Sequence, residues 1–209
     1  MRKINLKKKF KDKSRKWIMR QMSDYYYLKS KKLGLRSRSA FKLIHINEKF
    51  NIFFNNANVL DLGSAPGGWL QIVKKNCKKG KILGIDLLEI KKIDGVHFIK
   101  HDLQKDDLTK DILCFFGEKV DIVLSDMAPN TIGHTKTDHL RIISLVETAL
   151  DISEQVLKCS GIFVCKLFQG GAQNNLLKRI KKNFTNIKYY KPKSSRSESS
   201  ETYLIGKKT

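Results

Sequence analysis

The chain has 209 residues, 41% of them hydrophobic, with four cysteines and a formal net charge of +22. That length and apolar fraction suit one packed domain, or one domain with a small extension. The cysteines form no C-x-x-C pair and the histidines no H-E-x-x-H, which argues against a metal site or a disulfide framework, and no apolar run is long enough for a membrane span.

The charge is unevenly placed. Residues 1–42 carry 16 Lys/Arg against Asp12 and Asp24, residues 178–196 carry 8 with no acid, and the remainder sums to zero. Two basic segments on a neutral core, if adjacent in the fold, form a patch for a polyanion, with nucleic acid the first candidate. The alternative is solvated surface charge. The basic N-terminus lacks an apolar stretch followed by a cleavage site, so it does not read as a secretory signal. Cys114 and Cys165 sit among apolar neighbours and read as reduced core thiols of a cytoplasmic protein.

Residues 1–36 form a basic N-terminal extension with the aromatic cluster Tyr25-Tyr26-Tyr27. Residues 37–49, "SRSAFKLIHINEK", place Ala40, Ile44 and then Phe50 at helical spacing beside Leu43 and predict an amphipathic helix. "NVLDL" (58–62) is the first strand, followed by a glycine-rich turn and the helix "WLQIVKKNC". "KILGIDL" (81–87), "VHFIKHD" (96–102) and "VDIVLSD" (120–126) are three more strands. Residues 139–161 read as a long helix with Leu140, Ile143, Val146, Leu150 and Leu157 toward the core and Gly161 as the stop. "IFVCKLF" (162–168) is a fifth strand, "NNLLKRIKKNF" another amphipathic helix, and "NIKYYK" and "TYLIGK" two closing strands. Strands alternating with helices predict an α/β fold, a mostly parallel seven-stranded sheet with helices on both faces and an antiparallel closing strand. In such sheets ligands bind at the carboxyl ends of the strands. Asp86, Asp102, Asp126 and Lys166 all fall at such ends.

Lys166 is the anomaly, because lysine is rarely buried unless paired, yet it interrupts an otherwise apolar strand. The turn "DLGSAPGGW" (61–69) offers Gly63, Gly67 and Gly68 for close backbone approach to a ligand, or simply for a tight strand-to-helix connection. A nicotinamide dinucleotide needs G-x-G-x-x-G, but Ala65-Pro66 replaces the glycine that admits the pyrophosphate. S-adenosylmethionine has no phosphate. Asp86 suits its ribose hydroxyls and Asp102 its adenine amine. At 125–130, "SDMAPN" lacks the aromatic residue that enzymes methylating base amines place there to stack the base, which points to another acceptor.

"SRSAFKL", "LDLGSAPGGW", "GIDLL", "SDMAPNTIGHTKTDHLR", "KLFQGG" and "SSRSESSETY" occur in that order. From about Lys13 to the C-terminus the chain resembles the FtsJ-like (RlmE-type) ribosomal RNA large-subunit 2′-O-ribose methyltransferases. The resemblance implies a Rossmann-like S-adenosylmethionine-dependent methyltransferase domain over residues 37–209, and the charge of residues 1–36 then reads as an RNA-binding extension. It implies a catalytic tetrad at Lys42, Asp126, Lys166 and Glu201, with Lys166 as proton acceptor, and cofactor contacts at Gly67, Trp69, Asp86, Asp102 and Asp126. The implied substrate is a uridine in the A loop of 23S ribosomal RNA within the assembled large subunit. The expected protein is a cytoplasmic monomer without metal or membrane attachment.

Taken alone, Lys42 and Glu201 read as surface charge, Asp126 as a turn or cap, Trp69 as core, Pro129-Asn130 as a turn, and His134 and His139 as bystanders. A ribose hydroxyl is a poor nucleophile facing a strong sulfonium electrophile, so alignment and proton removal are the requirements. Lys166 serves either as a neutral amine taking the proton or as a cation stabilising developing oxyanion charge. The rival substrates are transfer RNA or another RNA; the rival class is a non-catalytic RNA-binding ribosome-assembly factor.

Overall fold

The computed structural model describes residues 24–129, 135–168 and 174–209, with only the helical backbone of 135–139 and 174. The expectations for residues 1–23, Asn130, His134, the His139 side chain, Gly170 and Gly171 lie outside the described residues.

In chain order the elements are α1 (Tyr25–Lys32), α2 (Ala40–Phe50), β1 (Val59–Leu62), α3 (Gly68–Asn76), β2 (Ile82–Asp86), β3 (His97–Lys100), α4 (Thr109–Phe116), β4 (Val120–Ser125), α5 (Thr135–Val156), β5 (Leu157–Phe168), α6 (Asn174–Asn183), β6 (Phe184–Tyr190) and β7 (Glu201–Lys208). They build one seven-stranded sheet in the order β3-β2-β1-β4-β5-β7-β6. β1 to β5 run parallel. β7 inserts antiparallel beside β5, and β6 pairs antiparallel to β7 at the edge. The expected closing antiparallel strand is therefore β7. The strand order reverses between β1 and β4, which opens a ligand crevice at the carboxyl edge.

The two faces of the sheet carry different cores, and the period-two alternation of β-strands sorts residues between them. Phe163, Cys165 and Leu167 of β5 pack with Ile112, Phe116, Val146 and Leu150 under α4, α5 and α6. Val164 of β5 packs with Leu43, Ile46, Trp69 and Leu70 under α2 and α3. Lys166 shares the parity of Val164, so it points toward α2 and α3 while its neighbours are buried on the other side.

Three local expectations fail for physical reasons. The long helix ends at Val156, before Gly161. Lys208 from β7 donates to the carbonyls of Glu154 and Leu157, satisfying acceptors that a helix end leaves open. β4 then pairs Val120 with Leu157 and Ile122 with Ile162, so residues 158–161 fall out of register, with Ser160 left-handed at φ 61. Leu140 is 60% exposed. α5 has 22 residues against six in β4, about 33 Å against about 20 Å, so its first turns extend past the sheet. Cys114 is exposed, because α4 buries Thr109, Ile112 and Phe116 and turns Cys114 outward.

Candidate active site

The carboxyl edge of the sheet presents one row of side chains toward α2 and α3. Leu62 pairs with Ile85 and with Ser125, and Ser125 with Cys165. One residue further along, the row reads Asp86, Gly63, Asp126 and Lys166, and Lys166 pairs across β7 with Tyr203. Glu201, two residues from Tyr203 on the same strand, shares its face.

Lys166 is only 6% exposed, and it is paired. Its Nζ lies 3.1 Å from Asp126 Oδ1 and donates to the Asp126 carbonyl at 2.7 Å. The Tyr203 hydroxyl donates to the same Asp126 Oδ1 at 2.6 Å. α2 delivers the second cation. With Ala40, Leu43 and Ile46 buried, the helix is fixed, and Lys42 Nζ donates to Glu201 Oε2 at 2.8 Å with both side chains 12% exposed. Lys42 Nζ also lies 5.8 Å from the Tyr203 ring centre. The structure thus brings Lys42, Asp126, Lys166 and Glu201 together as two ion pairs joined through Tyr203. The nearby Glu198 is exposed and accepts from the Ser197 hydroxyl at 3.1 Å.

Burial pushes the Asp126 carboxyl up, but Lys166, Lys42 and the Tyr203 hydroxyl outweigh it and hold Asp126 below the usual carboxylate range. Burial and the neighbouring carboxylates push the Tyr203 phenol well above its usual value, so it stays a donor.

Beside the ion pairs lies the glycine turn. Gly63 and Gly67 adopt left-handed φ of 74° and 98°, which excludes most side chains. A Cβ at Gly67 would meet Arg36 Nη1 at 2.8 Å. Arg36 donates to the carbonyls of Pro66 at 3.3 Å, Lys91 at 2.5 Å and Lys92 at 2.8 Å, tying this turn to the loop after β2. Asp86 accepts from the N–H groups of Ala65 and Leu88, each at 2.8 Å. Asp102, two residues past β3, accepts from Gln104 N at 3.1 Å. The Trp69 indole points into the core, donating to Ser39 O at 3.0 Å and packing 5.8 Å from Tyr203. What Trp69 offers a ligand is therefore its backbone N–H in the first turn of α3, where helix N–H groups lack internal partners.

Two groups escaped the sequence reading. Tyr203 looked like ordinary strand aromatic; its spacing of two from Glu201 was the available signal. Asp61 lies two residues below Gly63, is fully buried, and among the described residues neither carboxylate oxygen has a hydrogen-bond partner. Burial, then Asp126 and Asp86, push its carboxyl well above the usual range. Such a group is costly alone and suits a cationic ligand.

The two basic segments also meet. Asp24 pairs with Arg38 from the first and lies 3.5 Å from Arg196 of the second. Arg38 donates to Ser194 O, and Ser194 Oγ lies 3.2 Å from His45 Nδ1. Among the described residues no helix is long and apolar enough to cross a membrane, and no cluster of three His, Cys, Asp or Glu is placed to hold a metal ion.

A reversed-order parallel sheet with β7 turned antiparallel, and a glycine turn leading into α3, define a Rossmann-like methyltransferase. MycE methyltransferase, solved with S-adenosylhomocysteine, shares this fold at a TM-score of 0.57 and 16% identity, over 79% of this chain and 48% of its own. The chain belongs to the FtsJ-like methyltransferase family, whose profile matches residues 35–209. It is 48% identical over 198 residues to the ribosomal RNA large subunit methyltransferase E of Rickettsia canadensis, covering 92% of this chain and 87% of that one. The protein of the same name from Acidiphilium cryptum is 46% identical, covering 95% and 88%. A crystal structure of a ribosomal RNA methyltransferase from Plasmodium falciparum superposes with a TM-score of 0.74 at 33% identity, over 83% of this chain and 97% of that chain.

Proposed function

We propose that this methyltransferase uses S-adenosylmethionine to methylate a ribose 2′-hydroxyl of ribosomal RNA, at a uridine in the A loop of 23S RNA within the large subunit. The observation that carries the reading is the Lys166–Asp126 pair, buried at the ligand end of the sheet (3.1 Å; Lys166 6% exposed). The names of the large-subunit relatives and the lack of a base-stacking aromatic after Asp126 support the same acceptor.

The residues present fit the cofactor. Among the described residues the Asp61 carboxyl has no hydrogen-bond partner and suits a cationic ligand group, and the first turn of α3 carries no acid, so its N–H groups can donate to a carboxylate. Gly67 and the Trp69 backbone would hold the amino-acid end, Asp86 the ribose, Asp102 the adenine amine, and Asp126 the centre beside Lys166. When bound, S-adenosylmethionine supplies the methyl electrophile.

Two of the Lys166 Nζ positions are taken by Asp126. As a neutral amine Nζ has two N–H groups and one lone pair, so both donors are used and the lone pair is left for the 2′-hydroxyl proton. Asp126 orients the amine, and Tyr203 fixes Asp126. Lys42, neutralised by Glu201, borders the position of the hydroxyl and stabilises charge developing on its oxygen. The ribose oxygen would lose its proton to Nζ as it takes the methyl, the carbon–sulfur bond breaking to leave a neutral thioether. Residues 1–36 and the 178–196 segment hold phosphates, contacts that position RNA without reading sequence. The protein acts as a cytoplasmic monomer.

The test uses large subunits isolated without ribose methylation. Incubation with the protein and S-adenosylmethionine is expected to create one 2′-O-methyl stop in primer extension through the A loop. A methylated base, or methylation only of transfer RNA, overturns the reading.

A further inference from the structure

We infer that the outer face of α1 is a platform on which an unpaired base of the RNA stacks, with Tyr25 as the stacking ring. This rests on the RNA reading above and adds a subsite to it.

α1 is eight residues long and splits into two unlike faces. Tyr26 turns inward, with ring centres 5.2 Å from Phe41 and 5.7 Å from His45, and Ser30 is buried. Tyr25 and Leu28, one turn apart, are 64% and 52% exposed. Among the described residues nothing covers these large apolar groups, which leaves this face of the short helix without a partner there.

The charge on that face selects the occupant. α1 carries Lys29, Lys31 and Lys32 and no acid. Asp24, just before it, is occupied: it caps Tyr27 N at 3.1 Å and pairs with Arg38 and Arg196. Aromatic surface flanked only by cations suits single-stranded nucleic acid, whose phosphates meet the lysines and whose bases meet the ring. Lys29 Nζ lies over the Tyr25 ring at 5.5 Å and over Phe41 at 5.4 Å, and Lys31 Nζ over the Tyr27 ring at 5.6 Å, so a base that stacks on Tyr25 meets a cation that can turn to its phosphate.

The platform is preorganised. Tyr25 packs edge-on against Tyr26 at 5.2 Å and 78°, and Tyr26 is anchored on Phe41. Phe41 precedes Lys42 on α2, so the stacking ring and the active-site lysine ride on one packed pair of helices. A base held on Tyr25 fixes the strand that carries the reacting ribose.

The experiment measures steady-state methylation and equilibrium binding of unmethylated large subunits for the wild type, Tyr25→Ala, Tyr25→Phe and Lys31→Ala in the full-length protein. Tyr25→Ala is expected to raise KM and Kd for RNA about tenfold, with kcat at saturating RNA, cofactor affinity, thermal midpoint and the salt slope retained. Tyr25→Phe keeps wild-type affinity, because the ring stacks and the hydroxyl does not. Lys31→Ala instead lowers the salt slope by about one phosphate contact. Unchanged affinity in Tyr25→Ala, equal loss in Tyr25→Ala and Tyr25→Phe, or loss of anionic-vesicle binding alone overturns the platform. A wild-type protein that methylates no RNA fails the proposed function instead.

Discussion

Strands β4 and β5 carry the same residue pair twice. At the amino end of the sheet Lys158 Nζ lies 3.0 Å from Asp121, and at the carboxyl end Lys166 Nζ lies 3.1 Å from Asp126. The distances hardly differ; the surroundings do. Lys158 is 33% exposed and shared with Glu118 at 3.0 Å. Asp121 and Glu118 bond Asn58, which also accepts from Lys81 N, so this network fastens β1, β2 and β4. Lys166 is 6% exposed, and its partner carries a buried tyrosine hydroxyl. A lysine–aspartate pair thus fastens strands at one end of the parallel sheet, and at the other is proposed to do chemistry, on the strength of its burial and of sheet polarity.

Breaking each pair separates the roles. Lys166→Ala is expected to lower methyl transfer by about 10³-fold, within the range for losing a general base, while S-adenosylmethionine affinity by calorimetry stays near wild type. Near-normal turnover removes Lys166 from the chemistry.

Asp126→Asn leaves the buried Lys166 without its counter-charge and should cost about 3 kcal/mol in urea denaturation. Asp126 is held below its ordinary range when folded, so the stability it contributes is present above the unfolded carboxylate pKa and is lost as pH falls through the folded value. The wild-type advantage should therefore close in acid; an advantage that persists there contradicts the pairing.

Asp61 has the opposite sign. Its folded carboxyl is raised well above 3.8, so it favours folding in acid and opposes it as pH rises above the unfolded value. Asp61→Asn should raise the thermal midpoint at neutral pH by at least about 3 °C, with the gain vanishing below the ordinary carboxylate range. The same change should weaken S-adenosylmethionine binding. A lower midpoint at pH 7 with unchanged cofactor affinity would show that Asp61 is a structural group.

Lys158→Ala should be the smallest change. A partly exposed pair contributes up to about 1 kcal/mol, and methyl transfer should be unaffected. The ion pair's attraction is screened by salt, so the stability difference from wild type should shrink in 1 M salt. An activity loss comparable to that of Lys166→Ala would erase the contrast between the two ends.

Much of this was legible in the sequence, because period-two alternation is a strong signal in strands. Phe163, Cys165 and Leu167 against Val164 and Lys166 already marked a charge on a buried face, and the strand ends marked Asp86 and Asp126. What stayed hidden depends on contacts from distant segments. Lys208 ends α5 at Val156, 52 positions upstream in the chain, so Gly161 was a misleading stop signal. The eight residues of α4 were too short for a periodic signal. Trp69 taken alone read as core, where its indole lies, but the Ser39 carbonyl that orients it comes from another helix's start. The Tyr203 hydroxyl and the unpartnered Asp61 carboxyl acquire meaning only when β1, β4, β5 and β7 lie side by side.

The central claim is that Lys166 accepts the ribose proton, and Lys166→Arg tests it most directly. Arginine keeps a cation and two or more donors for Asp126 but does not give up its proton near neutral pH. In a single-turnover assay with saturating S-adenosylmethionine and unmethylated large subunits, the account predicts that Lys166→Arg is as slow as Lys166→Ala. A Lys166→Arg enzyme close to wild-type rate would contradict proton acceptance and leave Lys166 as an electrostatic clamp.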